Sequence, residues 1–232
     1  MISLQNVSKS FGLTFVLNDI NLNISTGQFT TIIGPNGSGK TTLLRIISGL
    51  LTPNTGTVTI NGINTASHAY DIRHLIGVIS HQSFLYENLT AFENLLFYAR
   101  LYGINDINSR IKFVLDTVNL SKHQNILIST FSHGMKQKLS IARSILHNPP
   151  IILCDEPYTG LDQNSSDNLT RLLQSITYSG NTVVMVTHNL NKVIKLSDQL
   201  IVLHKGKIET NEPIADKTLE TLIKEYDEIT TR

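Results

Sequence analysis

The run Gly34-Pro35-Asn36-Gly37-Ser38-Gly39-Lys40-Thr41 constrains this chain more than any other stretch of its 232 residues. It meets the pattern G-x-x-x-x-G-K-[ST] at every fixed position, and that pattern works only between a strand and a helix. Both flanks are present: Phe29 to Ile33 is a short apolar β run, and a helical pattern extends from about Lys40 to Leu50. The glycines let backbone N–H groups turn inward around phosphate oxygens, and the positive end of the following helix adds to that field. Lys40 is then placed to reach β- and γ-phosphates, with the Thr41 hydroxyl on Mg²⁺ and Thr42 following it into the helix. The alternative is a glycine loop that merely turns the chain.

A matching pair of carboxylates ends a second apolar run, Ile151-Ile152-Leu153-Cys154-Asp155-Glu156. An acidic pair after four apolar residues is costly unless a cation or hydrogen bonds hold it. Asp155 is placed to hold Mg²⁺, usually through water, and Glu156 to accept a proton from an attacking water or to orient it. Taken alone, Asp155 also reads as a helix N-cap. Cys154 reads most simply as a core residue of the strand, since no neighbouring cation or second thiol is evident.

The rest of the chain supplies a scaffold around these two motifs. Hydrophobic residues make up 41% of it, enough to bury a core, so wholesale disorder is excluded. A net charge of +1 argues against a dedicated nucleic-acid binder, and the one cysteine excludes an intramolecular disulfide and any Cys-cluster zinc site. That cysteine usage fits a reducing compartment. The start, MISLQNVSKSF, has no apolar signal core. The longest stretch free of Lys, Arg, Asp and Glu, Ile46 to Tyr70, is broken by Pro53, Asn54, Gly56, Asn61, Gly62 and Asn64, which no membrane-spanning helix would tolerate. The expectation is a cytoplasmic chain that any membrane role would tie to a partner.

Short β segments open the chain at Ile2 to Val7, Phe15 to Ile24 and Phe29 to Ile33. Asn61-Gly62 between Thr57–Ile60 and Ile63 is a strong hairpin signal. Ile76 to Ser80 reads as a buried strand, and Thr90 with Glu93 as a capping box opening a helix through Leu95, Leu96 and Ala99. Helical spacing continues through Ile107, Ile111, Val114, Leu115 and Val118, and again after Phe131 through Met135, Leu139, Ala142 and Leu146. Apolar runs at Ile151–Cys154 and Thr182–Val186, separated by a helix carrying Leu169, Leu172, Leu173 and Ile176, indicate parallel strands with a crossover helix. A hairpin turning at Lys205-Gly206 and an amphipathic helix through Leu219, Leu222, Ile223 and Tyr226 close the chain. The expected architecture is a single α/β unit with an inserted helical block.

Phosphate loops and acidic strand ends are shared by kinases, GTPases and ATPases. Phe131-Ser132-His133-Gly134-Met135-Lys136-Gln137-Lys138 narrows the choice, because it resembles the signature motif of ATP-binding-cassette (ABC) proteins. Other elements fall in that family's order: Phe11 before Gly12, Gln82 after a strand, Gly160-Leu161-Asp162 after the acidic pair, and His188 after Val184-Met185-Val186-Thr187. The likeness spans essentially residues 1 to 210. It implies an ABC ATPase fold: a P-loop core, an N-terminal antiparallel β-subdomain, and a helical subdomain inserted at about 83–145. It also implies ATP and Mg²⁺ as cofactors.

The resemblance further implies roles. Phe11 would stack on adenine, worth about 1–3 kcal/mol; the plainer reading is a hairpin core aromatic. Gln82 would sense Mg²⁺ and the water, and His188 would contact the γ-phosphate and keep the water aligned. Ser132 and Gly134 would bind the γ-phosphate of ATP held by a second, facing cassette, identical or related, and Asp162 would lie at the same seam. Two positions depart from the usual Leu-Ser-Gly-Gly-Gln: His133 replaces the first Gly and Met135 the Gln.

Two function classes follow from the family. The first is the motor subunit of a membrane transporter, peripheral on the inner face of the membrane, with residues 83–118 receiving a permease helix near Phe84, Leu85, Tyr86 and Leu89. The second is a soluble cassette of DNA repair, chromosome structure or translation. The spacing of 155 − 40 = 115 residues between Lys40 and Asp155, with no sustained heptads, favours the first. Within transporters, Gly134 to Arg143, Asn148-Pro149-Pro150 and Glu156 to Asp162 are most similar to the haem exporter of cytochrome c maturation, with drug, polysaccharide and lipid exporters close behind.

Overall fold

A computed structural model describes residues 1–80, 83–215 and 217–231. Strands of two kinds build it. Those with alternating burial form an antiparallel sheet: β1 (Ile2–Phe11), β2 (Thr14–Ile24), β4 (Thr55–Ile60) and β5 (Ile63–Asn64), in the order β2-β1-β4-β5. Ile2 pairs with Ile24 and with Ile60, and Leu4 with Leu22 and with Val58, so one apolar face runs across three strands. Asn61 (φ 51°) and Gly62 (φ 82°) make the β4–β5 turn, where two positive φ values are what a tight hairpin requires.

Strands buried on both faces form the second sheet: β3 (Phe29–Ile33), β6 (Ile76–Ile79), β7 (Ile151–Asp155), β8 (Thr182–Val186) and β9 (Gln199–His204), with β10 (Lys207–Pro213) at one edge. The order is β10-β9-β3-β8-β7-β6, parallel throughout except for the antiparallel β9–β10 hairpin. Every residue of β3, β7 and β8 is buried, as expected of central parallel strands covered by helices.

Helix α1 (Lys40–Ile47) lies between the two sheets and buries Leu43, Leu44, Ile46 and Ile47 in a cluster with Ile2, Ile60 and Val186. The opposite face of the parallel sheet is covered by α3 (Ala91–Leu101), α4 (Ile107–Thr117), α5 (His133–Ile145) and α6 (Gln163–Tyr178), through Leu95, Val114, Leu139 and Leu173. Helices α7 (Leu190–Leu196) and α8 (Leu219–Thr230) pack Val193 and Leu222 against Ile33 and Val202. The capping box at α3 is complete: Thr90 Oγ1 accepts from Glu93 N–H while the Glu93 carboxylate accepts from Thr90 N–H.

Three details differ from the sequence reading. Strand β1 runs on to Phe11 rather than Val7, its last four residues polar and half-buried up to the exposed Phe11, and bulged, and therefore without an apolar pattern. Helix α1 stops at Ile47 rather than near Leu50, because Gly49 takes a left-handed φ of 69° and ends it. Two short helices, α2 (Ala69–Leu75) and α7, were not anticipated; α2 buries only Ile72, too little to register as a period.

Just beyond α5, the His147 ring stacks on Tyr102 at 3.9 Å with its Nε2 3.2 Å from the Ile76 carbonyl. Burial pushes its pKa down to about 4 from 6.5. A histidine lowered on folding contributes stability that is present above pH 6.5 and lost as the pH falls toward 4. We expect about 2 kcal/mol to be lost between pH 7 and pH 5 through this group. Thermal unfolding across that range, compared with His147→Gln, checks it: the variant should show a shallower pH slope.

Candidate nucleotide site

The parallel sheet brings the carboxyl ends of β3, β7 and β8 to one edge, the edge where open α/β sheets hold ligands. From β3 the chain passes through residues 34–39 into α1. Gly34 has no room for a side chain: a Cβ there would lie 2.0 Å from the Leu203 carbonyl oxygen of β9. The loop is braced by Ser38 N–H donating to Pro35 O and by Gly206 N–H donating to Ser38 O. Lys40 Nζ folds back to donate to the carbonyls of Gly34 (2.8 Å) and Pro35 (2.9 Å). Burial lowers its pKa, and the charges of Glu156 and Asp155 oppose that shift.

The acidic pair meets the loop directly. Asp155, the buried last residue of β7, accepts a hydrogen bond from Thr41 Oγ1 at 3.1 Å. Glu156 follows in a left-handed conformation (φ 49°), a strain that such sites tolerate when the surroundings hold it. Its N–H donates to Val186 O, and its carboxylate meets His188 Nδ1 at 3.0 Å and the Thr187 hydroxyl at 3.4 Å. The His188 side chain is 79% exposed and that of Glu156 24%, so the pair opens to solvent. A cavity of ≈ 340 Å³ lies between these groups, lined by Val16, Asn36, Lys40, Thr41, Asp155 and Glu156 among others.

The oxygen donors fit a small hard cation: a threonine hydroxyl and a carboxylate within hydrogen-bond distance of each other, both at the wall of this cavity. The loop fits a polyphosphate, since its glycines leave no side chain in the way and Ser38 Oγ is buried there without a protein partner.

Residues 34–42, Asp155, Glu156 and His188 therefore come together, while the remaining candidates lie elsewhere. Asp155 is not a helix N-cap; that role belongs to Asp162, whose carboxylate accepts from Ser165 N–H at the start of α6. Ser132 caps α5 by accepting from Met135 N–H, with Gly134 in the first turn, and neither lines the cavity. Phe11 is 53% exposed at the β1–β2 end, so it is not a core aromatic of the hairpin. It pairs with Thr14, two positions before Val16, which walls the cavity. Cys154 is fully buried, and burial raises its thiol pKa, in keeping with packing. Gln82 lies outside the described residues.

Two contributors escaped the sequence reading. Thr187 holds the Glu156 carboxylate and Val16 walls the cavity from the other sheet. Thr187 could have been found as the residue joining β8 to His188. The His133 ring is seated against Gly160, where a Cβ would come within 2.2 Å of His133 Cδ2.

A family model described as ABC transporter matches residues 17–159, more than half of the chain. The chain belongs to the ABC transporter family. This ABC cassette is 36% identical over 215 residues to the ABC transporter ATP-binding protein NatA of Bacillus subtilis, covering 90% of this chain and 87% of that protein. It is 34% identical over 208 residues to the lantibiotic transport ATP-binding protein SrtF of Streptococcus pyogenes, covering 90% and 89%. A solved dimeric structure of a post-hydrolysis state of the ATP-binding cassette MJ0796, bound to ADP and Pi, matches with a TM-score of 0.87 and 33% identity, over 94% of this chain and 100% of that one. The cassette binds and hydrolyses ATP as a transporter subunit. No helix among the described residues is long and apolar enough to cross a membrane.

Proposed function

We propose that this cassette works in facing pairs as the MgATP-driven motor of an exporter, seated on the inner face of the membrane through a separate permease. The observation that carries the reading is the joining of Thr41 to Asp155 beside the Glu156–His188 pair at the mouth of one cavity. Thr41 and Asp155 would hold Mg²⁺, and the ion would supply charge neutralisation on the β- and γ-phosphates. Lys40 releases the Gly34 and Pro35 carbonyls to reach those phosphates, and the loop N–H groups bind their oxygens. Glu156 polarises the attacking water and takes up its proton, while His188 and Thr187 hold the carboxylate in place. Phe11 offers the adenine a stacking face.

Ser132, Gly134 and Asp162 stand apart from their own chain's cavity, and the start of α5 with its capping hydroxyl suits an anion. In a head-to-tail pair they would complete the facing site, as the solved dimeric relative supports. The helical subdomain at about 83–145 would transmit this closure.

The docking surface is the segment after Gln82. Phe84 and Tyr86 are about half exposed, and Tyr86 packs edge-on against Phe97 at 5.1 Å. Replacing Leu85 and Tyr86 by Asp is expected to abolish transport-coupled ATPase while sparing ATP binding; intact coupling would overturn the docking proposal. The motifs resemble the haem exporter's, and that finer assignment predicts haem-free cytochrome c on deletion of the gene. Normal cytochrome maturation would exclude it and leave peptide, drug, polysaccharide or lipid export.

A further inference from the structure

Among the described residues, Arg143 has no carboxylate partner. It sits on α5 with 8% of its surface exposed, its Nη2 donating to Val78 O at 3.0 Å and its Nε buried without a hydrogen-bond partner. The rings of Phe84 and Tyr98 flank the guanidinium at 5.4 and 5.3 Å. The charge influences upon it come from Tyr98 and Tyr102, not from any carboxylate. Burying an unpaired guanidinium is expensive, and the usual remedy is a carboxylate in bidentate contact.

The space beside it is open. A cavity of ≈ 200 Å³ is lined by Arg143, Tyr98, Tyr102, Phe84 and the exposed Arg73, with no Asp or Glu among the described residues that line it. A second, narrower cavity shares Ser48, Leu50, Val78 and Phe84 with it and ends at Thr41 and Asp155, with Arg45 on its wall. Phe84, which borders both, is held at a positive φ of 52°, with its carbonyl accepting from the Tyr98 hydroxyl. An occupant of the outer cavity therefore touches the residue that also borders the magnesium side.

We propose that this groove receives an acidic side chain, an Asp or Glu carried on a cytoplasmic segment of the transmembrane partner, which pairs with Arg143 inside the aromatic wall and with Arg73 at its rim. The proposal rests on the docking reading above and adds the chemistry of the docked group. Apolar contact with Phe84, Tyr98 and Tyr102 excludes water, so the charge pair forms in a medium where it is strong. The same contact lets arrival of the carboxylate bear on Phe84 and, through it, on the wall shared with Thr41 and Asp155.

No lysine is among the described residues that line either cavity, which makes a selective chemical test possible. The chain is co-purified with its transmembrane partner as wild type, R143K and R73K, and each complex is treated with a water-soluble carbodiimide. The reagent activates a carboxylate as an O-acylisourea; an adjacent lysine amine displaces the urea, loses a proton and leaves an amide. The expected result is a cross-link from the introduced lysine to one Asp or Glu of the partner, at least 10-fold above wild type. Neutralising that acid in the partner should then remove both the cross-link and the coupled ATPase. Assembled complexes of either variant that cross-link to no partner carboxylate, or only within the chain itself, overturn the proposal. R73K carries the test if R143K does not fold. Failure of the wild-type chain to co-purify with the partner instead defeats the docking reading.

Discussion

Replacing Glu156 by glutamine is expected to lower steady-state ATP hydrolysis by about 10²–10⁴-fold, the range for loss of a positioned general base. Glutamine keeps the shape and can still meet Thr187 and His188, which lie 3.4 and 3.0 Å from the present carboxylate. It cannot accept the proton of water. Nucleotide binding depends on the loop, Lys40 and the Thr41–Asp155 pair, none of which changes, so ATP affinity should stay at the wild-type value. A fall in turnover number at constant affinity is the signature; a parallel loss of affinity would place Glu156 in the binding set instead.

The second large effect belongs to Gly34→Ala. The added methyl would lie 2.0 Å from Leu203 O and 2.8 Å from Ser38 Oγ, and a backbone carbonyl in a central strand cannot step aside as a flexible side chain can. The loop must move instead, carrying with it the carbonyls that hold Lys40 and the N–H groups that face the phosphates. Overpacking of this kind costs about 1–3 kcal/mol, or roughly 2–12 °C in melting temperature for a chain of this size. Losing two charge-assisted hydrogen bonds to phosphate lowers nucleotide affinity by roughly 10²-fold or more. Calorimetric titration with ATP and a thermal melt read both effects; wild-type values in both would show that the close approach of β9 to the loop is not needed.

How far the sequence carries is clear from these two residues. Gly34 is visible in the sequence as a member of the phosphate loop, but the strand that crowds it lies 203 − 34 = 169 positions away. Likewise the acidic pair is legible as the end of an apolar strand, whereas its contacts with Thr187 and His188 depend on β8 lying beside β7. Local signals survived best: the capping box at Thr90 and Glu93, the Asn61-Gly62 turn and the parallel-strand runs all rest on neighbours within a few positions. Helices α2 and α7 were missed because seven residues with one or two buried side chains hold no measurable period. The Arg143 groove was illegible for a further reason: a lone arginine in an apolar helix face gives no hint that a cavity opens beside it.

The family resemblance placed Ser132, Gly134 and Asp162 in the nucleotide site; in one chain Ser132 and Asp162 cap helices and Gly134 sits in the first turn of α5, all outside its cavity. Those two statements agree only if a second cassette faces the first. The most direct measurement is therefore the molar mass of the Glu156→Gln variant by light scattering with saturating ATP and Mg²⁺. A mass of twice the 25.8 kDa chain that reverts on removing nucleotide is the predicted result. A monomer under the same conditions would contradict the shared site.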